Sequence, residues 1–453
     1  MSVAASMRGF PEWLPAGQLV EQRVLRSLRE TFELHGYSPL DTRAVEALDT
    51  LLEKGETDKE IYLLRRLQAA EDESDSGLGL HFDLTVPFAR YVRDNAGKLL
   101  FPYRRYQIQK AWRGERPQEG RYREFLQADI DVIDRGELAP HFEAELPLVA
   151  AEALRRLPIP RFSIQVNNRK IMQGMFEGIG LPGDTLAAFR SLDKLRKIGP
   201  EAVRELLIEA GASRAQADVC LSLAGIRTSD VSFVDDVRSL GVRSDLLERG
   251  LAELAAVLEA GRAFAGDDSP FVADLQITRG LDYYTGTVYE TVMEGAESLG
   301  SVCSGGRYDN LVGGEREAYP GVGVSIGVTR ILGPLLARGE LVASRPVPTC
   351  VLVAVASEEA RAEADRVAHM LRARRIPTEV SPTAARYGRQ IRYADQRGIP
   401  FVWFPGNEVR DIRSGAQVPA DPATWMPPEE DREVSITAPV GPAAGEEQAR
   451  EQL

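Results

Sequence analysis

Cysteine is scarce: the 453 residues hold three, Cys220, Cys303 and Cys350, with no Cys-x-x-Cys pair, and only four histidines. A disulfide framework and a zinc finger are therefore excluded, and a reducing, cytosolic setting is expected. No run of 18 or more apolar residues occurs, which excludes a membrane-spanning helix. Met1 to Phe10 has no apolar core, so no secretory signal is expected. Lysine supplies only seven of the 55 basic residues, which leaves 48 arginines. A net charge of -13 excludes a general electrostatic coat for nucleic acid. It leaves room for a local patch of arginine, the better fork for phosphate, although genomic base composition accounts for most of the arginine excess.

What is present is globular in composition, 43% hydrophobic and 27% charged, and long enough for two to four domains. Leu19, Val20, Val24, Leu25, Leu28 and Phe32 fall at helical spacing, which predicts a helix over 17–35 stopped by Gly36. Tyr37 to Thr42 reads as extended. From Leu80 to Ile133 strand-like runs alternate with polar loops. Tyr106–Trp112 and Arg123–Ile133 flank a Gly-, Pro- and charge-rich stretch, the pattern of a hairpin with a long tip. Phe162–Val166 is a further short strand. Residues 168–265 turn Leu-, Ala- and Glu-rich with helical spacing, an expected helical insertion. Strand text resumes at Phe271–Val292, Ser301–Val312 and Gly321–Gly327, the last running into a helix. Composition shifts again near 343–348. Strands at Val351–Ala356, Thr378–Val380 and Phe401–Phe404, with a helix capped by Ser357 and another around Gln390–Gln396, predict a small βαβ domain. Pro427 to Leu453 reads as loosely ordered.

Five strings carry chemistry. Arg279-Gly280-Leu281-Asp282-Tyr283-Tyr284-Thr285-Gly286 reads as a polar pocket floor, or as a turn with a surface arginine and two core tyrosines. Four arginines lie between Arg113 and Arg123. After them Gln127, Asp129 and Asp131 recur every second residue, so they share one strand face, either solvated or lining a polar site. Asp83-Leu84-Thr85-Val86-Pro87 reads as a strand with Asp83 and Thr85 on one face, and taken alone the string favours an N-capping or turn role over a site. In Cys303-Ser304-Gly305-Gly306-Arg307-Tyr308-Asp309 the paired glycines permit close backbone approach, and Cys303 reads as a small buried residue, not a nucleophile. The glycines of Gly321–Arg330 have neither dinucleotide-fold nor phosphate-loop spacing.

In this order the strings resemble the class II aminoacyl-tRNA synthetases, specifically the histidyl-tRNA synthetase family, from Arg8 to about residue 425. Residues 279–286 and 83–87 resemble its histidine-specific segments, Gly120–Gln127 its second class II motif and Gly323–Arg330 its third. The resemblance implies an α+β fold: an antiparallel-sheet catalytic domain (1–167 and 266–343) interrupted by a helical insertion (168–265). A C-terminal α/β anticodon-binding domain (344–430) and a flexible tail (431–453) follow. It implies activation of histidine with ATP, magnesium accompanying the nucleotide, transfer to the 3′ end of tRNA(His), and a homodimer. By position, Asp83, Thr85 and Gln127 match residues holding the α-amino group, while Asp131 and Tyr284, with Tyr283 beside them, match residues reading the imidazole. Arg113 and Arg279 match the α-phosphate arginines and Arg330 the γ-phosphate arginine. Glu115, Arg121 and Phe125 match the ATP loop and adenine-stacking positions. The chain departs from the pattern at Arg43, where proline is usual in the dimer-forming motif, at His81 for arginine, at Thr329 for glutamate, and in a short connection between Gly406 and Glu408. The alternatives of other classes are a catalytically inactive histidine-binding paralogue that regulates histidine biosynthesis, and a synthetase for proline, threonine or glycine.

Overall fold

The structure, a computed structural model, describes residues 7–52, 60–66, 77–181, 185–277, 284–314 and 317–438. It divides into two compact units, one formed by 1–11 and 27–334 and the other by 12–26 and 335–453.

The first unit is built on a nine-stranded sheet. Its strands are β1 (Ser38–Pro39), β2 (Tyr103–Trp112), β3 (Glu124–Ile133), β4 (Phe162–Asn168), β5 (Arg227–Thr228), β6 (Phe271–Asp274), β7 (Thr287–Met293), β8 (Cys303–Tyr308) and β9 (Gly321–Gly327). They lie in the order β1-β2-β3-β9-β8-β7-β4-β6-β5. Only β1–β2 and β4–β6 are parallel pairs. The expected hairpin is β2–β3, and its register runs from Trp112 opposite Glu124 to Tyr103 opposite Ile133.

Alternation along β3 decides which face of the sheet becomes core. Ala128, Ile130 and Val132 point one way and are fully buried, each branched side chain contributing about 1.5–3 kcal/mol. Gln127, Asp129 and Asp131 point the other way. Helix α1 (Pro15–Leu34) ends as expected at Gly36, whose φ of 76° suits glycine. Helix α2 is Thr85–Asn95 and helix α3 is Phe142–Arg155; α3 packs against β9 and β3. The predicted insertion is helical, with seven helices among the described residues from Arg169–Gly178 to Asp245–Ala265, interrupted by β5. Helix α4 (Val328–Ala337) continues directly from β9.

The strand reading of 83–87 is wrong. Thr85 begins α2, and Asp83 Oδ1 accepts the Val86 N–H at 3.0 Å. Alternating polar residues there were a capping signature, with Pro87 tolerated in the first helical turn because the N–H it lacks needs no partner there. The strand text of Phe271–Val292 holds, among the described residues, the two strands β6 and β7.

In the second unit, strands β10 (Val351–Val353), β11 (Thr378–Val380), β12 (Phe401–Phe404), β13 (Glu408–Asp411) and β14 (Gln417–Pro419) form one sheet in the order β11-β10-β12-β13-β14. The β10–β11 and β10–β12 pairs are parallel, as the βαβ pattern requires. Helix α5 (Arg361–Ala373) buries Ala364, Val367, Ala368 and Leu371, and helix α6 (Tyr387–Gln396) buries Gln390 and Ala394. Ser357 does not cap α5: Ala360 holds the N-cap position without a side-chain bond, the Ser357 carbonyl accepts the Ala360 N–H, and the Ser357 side chain bonds the Glu359 carboxylate. The short connection from β12 to β13 turns on Gly406 and Asn407, both at positive φ. Of the stretch expected to be loose, Glu429–Arg432 is a helix and Ile436–Thr437 pairs with Val342–Ala343; 439–453 lie outside the described residues. Among the described residues no helix is long and apolar enough to cross a membrane.

Candidate active site

The polar face of β3 forms the floor of a cavity of about 290 Å³, lined also by the β2–β3 tip, the start of α2, β8 and β9. Ten of the twelve residues expected at the site line it: Asp83, Thr85, Arg113, Glu115, Arg121, Phe125, Gln127, Asp131, Tyr284 and Arg330. Arg279 and Tyr283 lie outside the described residues.

The hairpin tip is held by its backbone. Arg113 N–H donates to the Arg123 carbonyl, and Gln118 and Arg121 exchange bonds around Gly120. Glu115 then sits 3.8 Å from Arg113 and 3.6 Å from Arg121. Arg113 lies over the Phe125 ring at 5.0 Å while its Nε donates to the Phe82 carbonyl. Ring and guanidinium both line the cavity, a pair suited to stacking a flat heterocycle. Arg330 donates to the Ser301 carbonyl. Thr329, expected to be a departure, is buried and its hydroxyl accepts the Leu126 N–H at 2.8 Å, tying the first turn of α4 to β3.

The other end of the floor is acidic. Asp131 is buried between two partners that the sequence reading did not assign. Arg105 Nη2 lies 2.6 Å from its Oδ2, and the Tyr308 hydroxyl donates to its Oδ1 at 2.7 Å. Arg105 is fully buried and stacks on Phe88 at 4.1 Å. Burial, with Asp131 adding to it, holds the Tyr308 phenol well above its usual pKa, so it stays a proton donor. Gly323 stands opposite Asp131 on β9, and a Cβ there would lie 2.1 Å from Asp131 Oδ1. Gly306 similarly leaves room for the Tyr284 ring, 2.9 Å from where its Cβ would be. The close approach expected of the paired glycines is thus to Tyr284 and, for Gly305, to the Gly323 carbonyl.

Asp129 lines the same cavity but has no cation of its own among the described residues. Burial, with Asp131 and Asp83 adding to it against the pull of Arg105, pushes its carboxyl up to about 7. Cys303 is buried in the lining with its thiol pushed up to about 12 by desolvation, which makes it inert as a nucleophile. His81 lies behind the floor against Trp112, its Nε2 on the Lys110 carbonyl, and burial lowers its pKa. Arg43 pairs with Glu46 at 2.8 Å, as does Arg90 at 2.7 Å.

Along β3 from Phe125 to Asp131, roughly 20 Å of strand, the lining passes from Arg113, Arg121 and Arg330 to Asp129, Asp131 and Asp83. One end suits polyphosphate and the other an ammonium or an N–H-bearing ring. Comparison with known proteins places the chain in a family. The family model for histidyl-tRNA synthetase matches residues 9–331, and that for an anticodon binding domain matches 349–412. The chain belongs to the histidyl-tRNA synthetase family.

Histidine–tRNA ligases of Micrococcus luteus and Cutibacterium acnes are 58% and 55% identical to it, covering 95% and 94% of this chain and 98% and 97% of theirs. The crystal structure of histidyl-tRNA synthetase from Nostoc sp. PCC 7120 superimposes with a TM-score of 0.82 at 33% identity, over 92% of this chain and 97% of that one. A Bacillus halodurans C chain described as an ATP phosphoribosyltransferase regulatory subunit/histidyl-tRNA synthetase shares the fold, with a TM-score of 0.72 at 19% identity over 89% of this chain. The Micrococcus and Cutibacterium relatives are ligases and an anticodon binding domain is present, so the regulatory paralogue is disfavoured. As a histidyl-tRNA synthetase the chain is a ligase of the aminoacyl-tRNA synthetase class.

Proposed function

We propose that this cavity is where the synthetase activates histidine with ATP and then charges tRNA(His). A histidine carboxylate oxygen attacks the α-phosphorus, the bond to the β-phosphate breaks, and pyrophosphate leaves. A hydroxyl of the terminal tRNA ribose then attacks the acyl carbon, and AMP leaves. Asp83, Thr85 and Gln127 hold the α-amino group. Asp131, with Tyr284 and Tyr283, accepts the imidazole N–H, so an analogue lacking that donor strands a buried carboxylate. Phe125 stacks the adenine, Glu115 and Arg121 order the ATP loop, and Arg330 takes the γ-phosphate.

Two anions meet in the first step, and charge grows on the α-phosphate oxygens. Arg113 and Arg279 would stabilise it, each such donor commonly contributing about 3–4 kcal/mol. Magnesium accompanies ATP, held by phosphate oxygens and water. Among the described residues no group of three or more acidic, histidine or cysteine side chains could take the ion alone, a donor set that fits an ion carried by the nucleotide. Residues 344–430 read the tRNA anticodon, the motif around Arg43 joins two copies in a homodimer, and the enzyme works in the cytoplasm.

The observation that supports the reading is the single cavity whose floor runs from arginines to carboxylates. Charging of purified tRNA with labelled histidine, against a panel including proline, threonine and glycine, tests it. Charging with another amino acid at the histidine rate would refute it. Arg279→Ala is expected to abolish histidine-dependent ATP–pyrophosphate exchange while the fold survives, and near-normal exchange would remove Arg279 from the mechanism.

A further inference from the structure

Gln127 is nine-tenths buried, yet its Oε1 is buried without a hydrogen-bond partner. Its Nε2 donates to Ser325 Oγ at 2.5 Å, and Ser325 Oγ donates to Asp129 Oδ1 at 2.5 Å. All three side chains line the cavity. A serine hydroxyl has one proton. While that proton is committed to a carboxylate, Oγ can only accept, and it accepts from the Gln127 amide nitrogen. The amide oxygen is thereby left for the cavity. An ammonium only donates, so an amide oxygen receives it and an amide NH₂ repels it.

We propose that Asp129, acting through Ser325, is a positioning residue that fixes the orientation of the Gln127 amide and so makes the cavity selective for a substrate carrying an α-ammonium. The proposal rests on the reading that Gln127 meets the substrate's amino group.

The surroundings say when the relay is set. Facing Asp129 are Arg105 and Gln107 from β2, Asp131 from its own strand, Cys303 from β8, Ser325 from β9 and Asp83 from the turn before α2. Without substrate its carboxyl titrates near neutrality. When protonated it can donate to Ser325 Oγ, which frees the serine proton and lets the amide turn. A bound ammonium adds positive charge beside three carboxylates and favours the ionised form. Each histidine captured by the protonated fraction therefore releases one proton to solvent, and affinity for histidine falls as pH drops below about 7.

Steady-state ATP–pyrophosphate exchange tests this with Gln127→Ala, Ser325→Ala, Ser325→Thr and Asp129→Asn. Histidine's own titration is common to all of them and cancels in ratios to the wild type. Ser325→Ala is expected to raise KM for histidine about tenfold, one charge-assisted hydrogen bond partly lost, and to leave KM for ATP unchanged. Ser325→Thr, which keeps the hydroxyl, restores it. Inhibition by the deamino analogue, imidazolepropionate, stays as in the wild type. The ratio of histidine KM values, wild type to Asp129→Asn, changes across the window from about pH 6 to about pH 8. If Gln127→Ala raises KM for histidine while Ser325→Ala does not, the relay is overturned and the reading of the cavity survives. If Ser325→Ala weakens ATP or imidazolepropionate equally, the residue is merely structural and the proposal fails. If Gln127→Ala leaves histidine KM untouched, the reading beneath it fails as well.

Discussion

Gly323→Ala is the sharpest probe of the acidic end. A methyl on this residue would stand 2.1 Å from Asp131 Oδ1, where ordinary contact begins at 3.4 Å, so the oxygen must retreat by the difference. Asp131 cannot swing freely, because Arg105 holds one oxygen and Tyr308 the other. The carboxylate therefore leaves the position from which it is proposed to accept the imidazole, or drags both partners with it. Misplacement of about 1 Å at a reacting or recognising group commonly costs ~100-fold, and a lost hydrogen bond to a charged group costs about 1.5–3 kcal/mol, which spans that factor. The expected result is a fall of about 100-fold in kcat/KM for histidine in pyrophosphate exchange, with KM for ATP within twofold of the wild type. The substituted residue lies on a strand with no positive φ, so the fold should persist, and circular dichroism would verify it. Unchanged histidine kinetics in a folded variant would refute the assignment of Asp131 to substrate recognition. Equal losses for histidine and ATP would point to a general distortion of β9.

Three further outcomes are expected. Arg105→Met leaves Asp131 buried without its cation, so unfolding free energy should drop by about 3–5 kcal/mol in denaturant melts; a loss under about 1 kcal/mol would show the pair to be dispensable. The Asp129 carboxyl is raised from its ordinary 3.8 to about 7, so between those values the folded chain holds a proton that the unfolded chain has released. Its contribution to stability is therefore fully present below about pH 4 and is lost as pH rises through 7, on the order of 4 kcal/mol in all. Asp129→Asn should flatten that slope, and identical stability–pH curves would contradict it. In the second unit, Arg386, Arg389 and Arg392 are exposed on and beside α6. Arg389→Glu with Arg392→Glu should raise KM for tRNA most at low salt and flatten its dependence on salt, while pyrophosphate exchange is preserved; unchanged charging would remove this helix face from tRNA recognition.

Legibility of the site followed the range of the forces involved. The β2–β3 hairpin, the insertion helices and the βαβ unit were readable because each is a local pattern of apolar spacing and turn residues. At 83–87 two local patterns competed. An aspartate three residues before the amide it caps produces the same alternation as a strand, and only the N–H it satisfies, that of Val86, tells them apart. Residues that act across strands were invisible for a different reason. Gln127, Asp129 and Asp131 share a face, and parity alone makes them equivalent. Register does not. Opposite Asp131 stand Gly323, which yields space, and Arg105, which supplies charge, while opposite Asp129 stand Ser325 and Gln107, which supply only dipoles. One carboxylate is consequently a paired anion and the other titrates near neutrality. The partners of Asp131 sit on β2, the preceding arm of the hairpin, and on β8, and the glycine that makes room for it sits on β9; the chain reaches β8 and β9 only after the whole helical insertion. No pattern within the β3 sequence encodes them, so the function of each position on that face is decided by the strands that flank it.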